Sequence, residues 1–476
     1  MKKVNSHKVR IFKTLLACTG VIAVAGAGQV EAGPHECEVV NGRVIINHTG
    51  NTWVIQATDG AILQCQSFDV GLFELVNFLQ PSSAARILNY ITSATPTHLD
   101  GTILATGIVY FVNPAGVMFG QGAVVDVGGI FAAASDLGDP ANNMADRQFA
   151  INEVLDMDGS GVITFHMNTD PSVLGNVVID QGAQIHAREI AHFVGKFVEN
   201  HGVINIDDGG LTTMSAGDTV VITNGLPNSE PKLSVVISGD TTIPNQPELP
   251  GVLNTGQINA GTGEVILGAG DLYSLAVRHT GTLEAGTVTM QSAGQGGDIE
   301  ALADVTTHGD QNYLAREVTF DGEFTTDGGN FNVGGGTATL LAGDTLVDSG
   351  GGSITFTGTI DGTTAGMESL TLNSVGTVGT ESNAIDLQGN VGDTAALESL
   401  SATSTNGDAN SVEMHAVTTL GDQDFIADTV TLNSSYVTGG GNFTVDGDTE
   451  IGSDTIVTAA GGAITFAGAI DGTTVG

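Results

Sequence analysis

Beyond residue 33 no apolar and polar alternation runs for more than a few residues before Gly, Asn or Asp interrupts it, and whole passages of this kind recur. GRVIINHTG, NTWVIQATDG, GAVVDVGG, GNVVIDQG and GGSITFTGTIDG are examples. Alternation with period 2 between turn residues predicts short, half-buried strands. Residues 305–366 open with VTTHGDQNYLAREVTF and residues 417–476 with VTTLGDQDFIADTVTL, an offset of 112 that has become 110 at the closing GGSITFTGTIDGTTAG and GGAITFAGAIDGTTVG. A smaller echo, VTMQS, LTLNS, LSATS and VTLNS, begins at Val288, Leu370, Leu400 and Val430 and includes two spacings of 30. Repeats of short strands predict an all-β solenoid in which each coil buries the apolar face of the next. In ITFTGTI, Ile354, Phe356 and Ile360 point into the coil and the threonines outward. The absence of an L-x-x-L-x-L frame argues against leucine-rich repeats, and the Gly and Thr content argues against helical ones. Coils of about 20 residues are expected of a parallel β-helix.

Charge narrows the function classes. The chain has 53 Asp+Glu against 13 Lys+Arg, a formal charge of −40, which repels phosphate backbones and excludes nucleic acid as a partner. With 41% hydrophobic residues the chain is nonetheless apolar enough to fold. Five of the bases, Lys2, Lys3, Lys8, Arg10 and Lys13, precede an apolar run from Thr14 to Gly28, then Val30-Glu31-Ala32 before a cut at Gly33. That is the anatomy of a secretory signal over residues 1–32, and the run is shorter than the roughly 20 residues of a membrane span. Leu16-Ala17-Cys18 offers a lipoprotein site instead, but cleavage there would leave ten apolar residues on the mature protein. The expectation is export, with Cys37 and Cys65 as the remaining thiols. An exported chain permits a bridge between them; AILQCQSF instead reads Cys65 as a small apolar residue facing a core, and that is the expectation here.

The run from Ala61 to Leu137 resembles the amino-terminal secretion domain of filamentous haemagglutinins and of other exoproteins of the two-partner secretion pathway. The likeness is carried by Gln56, Ser67-Phe68-Asp69-Val70-Gly71, Val76-Asn77-Phe78, Pro81-Ser82, Leu88-Asn89, Asn113-Pro114 with Gly116-Val117, Phe119-Gly120 and Val125-Asp126-Val127-Gly128-Gly129. It continues in VENHGVINI and VLNTGQINA, each followed by Ala-Gly-Asp, at 216–218 and 269–271. The chain departs from the family at Cys65, Tyr90 and Ala115, where the family usually has Trp, Arg and Asn. The resemblance implies a right-handed parallel β-helix, recognised by an outer-membrane transporter with periplasmic POTRA domains and threaded outward to the surface or medium. It assigns the secretion motif to Asn113, Pro114 and Gly116. Physically, Asn, Pro and Gly favour one defined turn, so these residues serve as a coil corner, as a recognition element, or as both.

Other chemistry was sought along the chain. Asp156, Asp158 and Ser160 with Gly161 match the front of a calcium loop behind the helix-like NNMADRQFAINEVL, but position 12 is Met167 rather than a bidentate Glu. His186, His192 and His201 read as exposed coil residues rather than a zinc site. No G-x-S-x-G, P-loop or H-E-x-x-H occurs. The stretch from Asn224 to Gly251 holds five of the eleven prolines and reads as an insertion.

The resulting organisation is a signal peptide (1–32), a secretion-domain β-helix (33–290) with insertions near 138–172 and 224–251, and a repeat β-helix (291–476) that stops at Gly476, where the earlier repeat runs on into MESLTL, as a fragment or truncated frame would. The function expected is that of an adhesin-type secreted exoprotein, not an enzyme and without a resident cofactor. The alternatives are a β-helix enzyme acting on polysaccharide through paired carboxylates, and the delivery stem of a toxin whose effector lies beyond Gly476.

Overall fold

The computed structural model describes residues 33–137, 162–167, 173, 175–217, 219–223, 234–238, 249–270, 273–376, 383–406 and 409–472. The signal segment and the calcium-loop residues Asp156, Asp158 and Ser160 lie outside these. Among the described residues there is no α-helix, only a 3-10 turn at Ala293–Gln295. Strands dominate, and nearly all pair in parallel with a strand about one coil further along the chain, which makes the fold a parallel β-solenoid. The chain forms two compact units, Met1–Ile204 with Asp218–Val236, and Asn205–Gly217 with Ile237–Gly476.

In the first unit the strand Thr52–Ala57 pairs in parallel with Leu75–Leu79, that strand with Thr102–Ala105, and that with Val124–Ala133. A second ladder runs through Ala61–Cys65, Arg86–Ile91, Ile108–Val112 and the far half of Val124–Ala133. Register alone divides inside from outside. Val76, Ile103, Val125 and Ile185 form a buried column, while Asn77, Leu104, Asp126 and His186 in the adjacent column are partly exposed. Phe68, Phe78 and Phe111, from three strands, meet at centroid distances of 5.3 to 6.2 Å in the core. From Val124 the register jumps to Gln184. Within the residues skipped, Asp136–Leu137 and Val162–His166 pair antiparallel, and Val162–His166 pairs antiparallel with Thr219–Thr223, outside the parallel ladder.

Antiparallel pairing also closes the amino-terminal end. Gly33–His35 lies against Ser67–Asp69, Glu38–Asn41 against Ala61–Cys65, and Val44–Thr49 folds back on Thr52–Ala57, so the edge of the first coil is covered rather than left as a pairing template. This cap corrects the cysteine expectation. His35 opposite Ser67 and Glu38 opposite Gln64 bring Cys37 against Cys65, and the two form a disulfide with an S–S distance of 2.04 Å. Cys65 is indeed buried in the core, but as half of a bridge. A hairpin crossing the first coil was needed to bring Cys37 there, and alternation within AILQCQSF carries no information about it.

The second unit stacks its inward residues in long columns. Val288, Gln311, Phe331, Ile354, Ile385, Val412 and Val430 follow one another in register, beside Met290, Tyr313, Val333, Phe356, Leu387, Met414 and Leu432. Ile354, Phe356 and Ile360 are buried as their alternation predicts. Coils are less uniform than about 20 residues: Phe331 to Ile354 is one step, Ile354 to Ile385 the next, and Val412 to Val430 another. The 30-residue echo is accordingly only half structural, because Leu400 stacks on Leu370 but Val430 stacks on Val412.

The recurrence at 112 residues has a specific physical content. Buried Gln311 donates from Nε2 to the carbonyls of Val305 (3.1 Å) and Thr325 (2.8 Å), and buried Gln423 donates to those of Val417 (3.3 Å) and Val437 (2.9 Å). Asp310 Oδ1 accepts the Asn330 N–H at 2.7 Å, as Asp422 Oδ1 accepts the Asn442 N–H at 2.6 Å. The same device recurs where Asp59, Asp69, Asp304, Asp344 and Asp448 accept backbone N–H groups from the following coil. Part of the acidic excess is thus spent satisfying backbone donors at coil corners.

Candidate functional site

The strand Ile108–Val112 ends in a turn, Asn113 to Gly116, that feeds Gly116–Phe119. The Gly116 N–H donates to the Asn113 carbonyl at 2.9 Å, with Pro114 at the second position, where its fixed φ suits a β-turn. The Asn113 side chain is fully buried. Its Oδ1 accepts the Ala115 N–H at 2.9 Å, and its Nδ2 donates to the Thr95 carbonyl and to Thr97 Oγ1, both at 3.0 Å. One side chain therefore closes its own turn and ties it to the coil before. Gly116 has φ +135°, and a Cβ there would stand 3.0 Å from the Asn176 carbonyl and 3.3 Å from the Pro96 ring, so glycine is required on conformational and steric grounds. Ala115, where the resemblance leads one to expect Asn, is buried at negative φ and leaves the turn intact. Pro114 remains partly accessible.

Other matched residues, and Tyr90 where the chain departs from the family, build the coil around this turn. Asn89 is buried and donates to the Tyr110 carbonyl at 3.1 Å. The Tyr90 hydroxyl donates to Asp136 Oδ1 at 2.8 Å. A Cβ on Gly128 would meet the carbonyls of Gly107 and Ser83 at 2.9 Å. Asp69 Oδ1 holds the His98 N–H at 2.8 Å.

The sheet carrying the turn is buried on both faces. Leu63, Asn89, Phe111, Ala132 and Phe193 form the column that contains core residue Phe111; Ile62, Leu88, Tyr110, Phe131 and His192 form the column pointing away from it, and these too are buried. Tyr110 stacks on Phe131 at 4.2 Å and Phe131 leans on His192 at 4.5 Å. Burial raises the pKa of the Tyr110 hydroxyl and pushes the His192 imidazole down to about 3. The expectation that all three histidines are exposed fails at His192, because the second face of this sheet is covered. His186 and His201 stay partly exposed, 3.4 Å from Asp126 and 3.1 Å from Glu199 respectively. Among the described residues no group of three or more His, Cys, Asp or Glu is placed to hold a metal ion.

In the second unit, sequence reasoning missed a groove of about 490 Å³ lined by Ser274, Arg278, Asp298, Glu300 and Glu317. Arg278 pairs with Glu300, and Arg316 forks onto Asp298 at 2.9 and 2.5 Å. Burial, followed by the neighbouring Asp298 charge, raises the Glu317 pKa. The two arginines are spent on carboxylates, so the groove is a cross-coil ion-pair ladder. Its signal was present in RHTGTLEA and DIEA, but only coil register shows which acid meets which base.

Residues 31–247 match the family model of the TPS secretion domain. A heme/hemopexin-binding protein of Haemophilus influenzae is 27% identical over 226 residues, 47% of this chain and 23% of that protein. A second Haemophilus influenzae protein of the same name is 33% identical over 118 residues, 24% of this chain and 13% of the relative. The chain thus spans under a quarter of the length of these relatives. Among solved structures, the crystal structure of the HMW1 secretion domain from Haemophilus influenzae superposes with a TM-score of 0.52 at 18% identity, covering 92% of this chain and all of that one; this likeness concerns the fold.

Proposed function

We propose that this chain, which carries a two-partner secretion domain over residues 31–247, is an adhesin-type exoprotein delivered to the cell surface or medium by a dedicated outer-membrane transporter. In this reading residues 1–32 direct export, residues 33–290 form the export module and residues 291–476 belong to the displayed solenoid. The observation that carries it is the family match together with the buried Asn113 turn at its centre. The transporter's periplasmic POTRA domains receive the export module. The match covers 23% and 13% of the two Haemophilus proteins, so the ligand in their names is not transferred to this chain.

Expression with and without the cognate transporter tests the proposal: the protein should reach the medium or surface only when the transporter is present. Transporter-independent appearance would overturn it. The Asn113 turn separates shape from recognition. Asn113→Ala strips partners from the Ala115 N–H and Thr97 hydroxyl, each loss costing about 1–3 kcal/mol, and should lower both stability and secretion. Pro114→Ala leaves the turn's hydrogen bonds in place, so a secretion defect with unchanged stability would assign recognition to Pro114 itself.

A further inference from the structure

The cap over the first coil starts at Gly33, directly after Val30-Glu31-Ala32, where cleavage is expected. Gly33 is buried at φ +93°, and a Cβ on it would collide with Cε2 and Cζ2 of the Trp53 indole, so glycine is required there on conformational and steric grounds. Its backbone lies on the ring, which puts its nitrogen within about 5 Å of the indole. His48 stacks on the same ring at 3.8 Å. Register places Gly33 as well: it stands opposite Asp69, with Pro34 opposite Phe68 and His35 opposite Ser67. Pro34 has no N–H, so the ladder bonds of this strand fall on Gly33 and His35, and the Gly33 nitrogen faces the main chain of Asp69, whose Cα is about 5 Å from its own. Asp69 Oδ1 accepts the His98 N–H at 2.8 Å. No Lys or Arg among the described residues pairs with Asp69, and residues 33–41 contain Glu36 and Glu38 but no Lys or Arg.

What precedes Gly33 sets the charge on its nitrogen and the freedom of the cap. Only Gln29, Val30, Glu31 and Ala32 separate Gly33 from the apolar run that ends at Gly28, and four extended residues reach about 14 Å. While that run is held in a membrane, the cap can close only against the bilayer surface, and Gly33 offers a neutral amide to the indole and to Asp69. Hydrolysis of the Ala32–Gly33 amide changes both. Water's oxygen goes to the Ala32 carboxylate and its two protons to the Gly33 nitrogen, which becomes an ammonium. A cation packed on an indole is stabilised by the ring quadrupole, and hydrogen bonds from a charged donor are stronger than neutral ones.

We propose that the α-ammonium of Gly33, freed by cleavage after Ala32, is a structural group of the cap, seated between the Trp53 indole and Asp69, and that its release favours closure of the cap and pairing of Cys37 with Cys65. The proposal rests on the export reading above, which supplies the cleavage. Three observations carry it: only glycine fits against Trp53 at this position, its nitrogen faces an acidic residue that no described base neutralises, and Cys37 follows four residues later in the same cap, bridged to Cys65. Forming the bridge takes two electrons and two protons from the thiols; a disulfide-exchange oxidant accepts them, glutathione disulfide in the test.

The test compares the chain from Gly33 to Gly476 in three forms: with a free amino terminus, with Gly33 acetylated, and with Gln29-Val30-Glu31-Ala32 retained. Each is equilibrated with glutathione redox mixtures, and the Cys37–Cys65 bridge is read by thiol trapping and mass spectrometry. The bridge constant of the free form should be at least five-fold more favourable than that of the acetylated form, which keeps an N–H but no charge, and the retained form should match the acetylated one. Asp69→Asn keeps an acceptor for the His98 N–H and should bring free and acetylated forms within two-fold. Should D69N form no bridge at all, salt decides instead: the wild-type gap should narrow at high ionic strength. Wild-type free and acetylated forms within two-fold of each other, a retained form equal to the free one, or a gap that neither D69N nor salt narrows would overturn the proposal. Amino-terminal sequencing of the exported protein separates the two readings. A start at Gly33 with equal bridge constants removes the seat and leaves the export reading standing; a start at any other residue overturns the seat; a chain that is never exported overturns both.

Discussion

Replacing His279 should remove a discrete part of the protein's acid sensitivity. His279 is fully buried in the second unit; its Nδ1 lies 3.0 Å from Asn254 Nδ2 and its Nε2 3.5 Å from the Asp304 carbonyl. An amide donor at Nδ1 requires an acceptor there, so the ring is neutral with its proton on Nε2. Burial dominates over the Asp304 carbonyl bond and brings the pKa from 6.5 to about 4. The folded state therefore binds this proton less readily than the unfolded chain, and the stabilisation is complete above about pH 6.5 and lost as pH falls toward 4. Linkage with those two values gives a loss of about 2 kcal/mol between pH 7 and pH 5, levelling at about 3 kcal/mol below pH 4. His279→Gln keeps an acceptor and a donor but does not titrate. Denaturant unfolding of the second unit, followed by hydrogen exchange because solenoids need not unfold in one step, should show wild type losing about 2 kcal/mol more than H279Q from pH 7 to pH 5. Equal losses, or an imidazole resonance titrating near 6.5 in the folded protein, would refute the reasoning.

Two further outcomes follow from the same structure. Gln311→Leu and Gln423→Leu should each destabilise their coils by about 2–4 kcal/mol, because each strands two buried carbonyls, and Gln311→Leu should cost about 1–3 kcal/mol more, because it also takes the acceptor from the buried Tyr313 hydroxyl at 2.9 Å whereas Gln423 Oε1 has no partner among the described residues; equal losses would refute this. Replacing Cys37 and Cys65 by Ser should cost about 3.5 kcal/mol from the entropy of the loop the bridge closes, read as faster proteolysis of the amino-terminal cap with the second unit unaffected.

The turn from Asn113 to Gly116 shows how far the sequence reached. Asn113, Pro114 and Gly116 are types suited to one tight turn, and they form one. The buried contacts of Asn113 with Thr95 and Thr97 were not legible, since they depend on which earlier coil lies beneath. His192 makes the same point: its neighbours in sequence suggest an exposed ladder, and a covering layer on the second sheet face reverses that. The outward placement of Val54, Leu75, Leu104 and Val124 was hidden because Leu and Val at strand positions read as core until register assigns each to a face.

The sequence by itself determined the parallel solenoid. Period-2 segments broken by turn residues, and repeats too short to bury their own faces, admit few other solutions. It also carried the residue-level likeness to the secretion domain whose family model matches residues 31–247. Tertiary structure alone decided the Cys37–Cys65 bridge, the burial of His192 and His279, and the pairing of Arg278 with Glu300 and Arg316 with Asp298. The reason is geometric. Local pattern fixes whether a residue alternates, but coil length varies from one turn to the next, so only the stacked structure sets which residue lies above which, and with it every environment that depends on a neighbour.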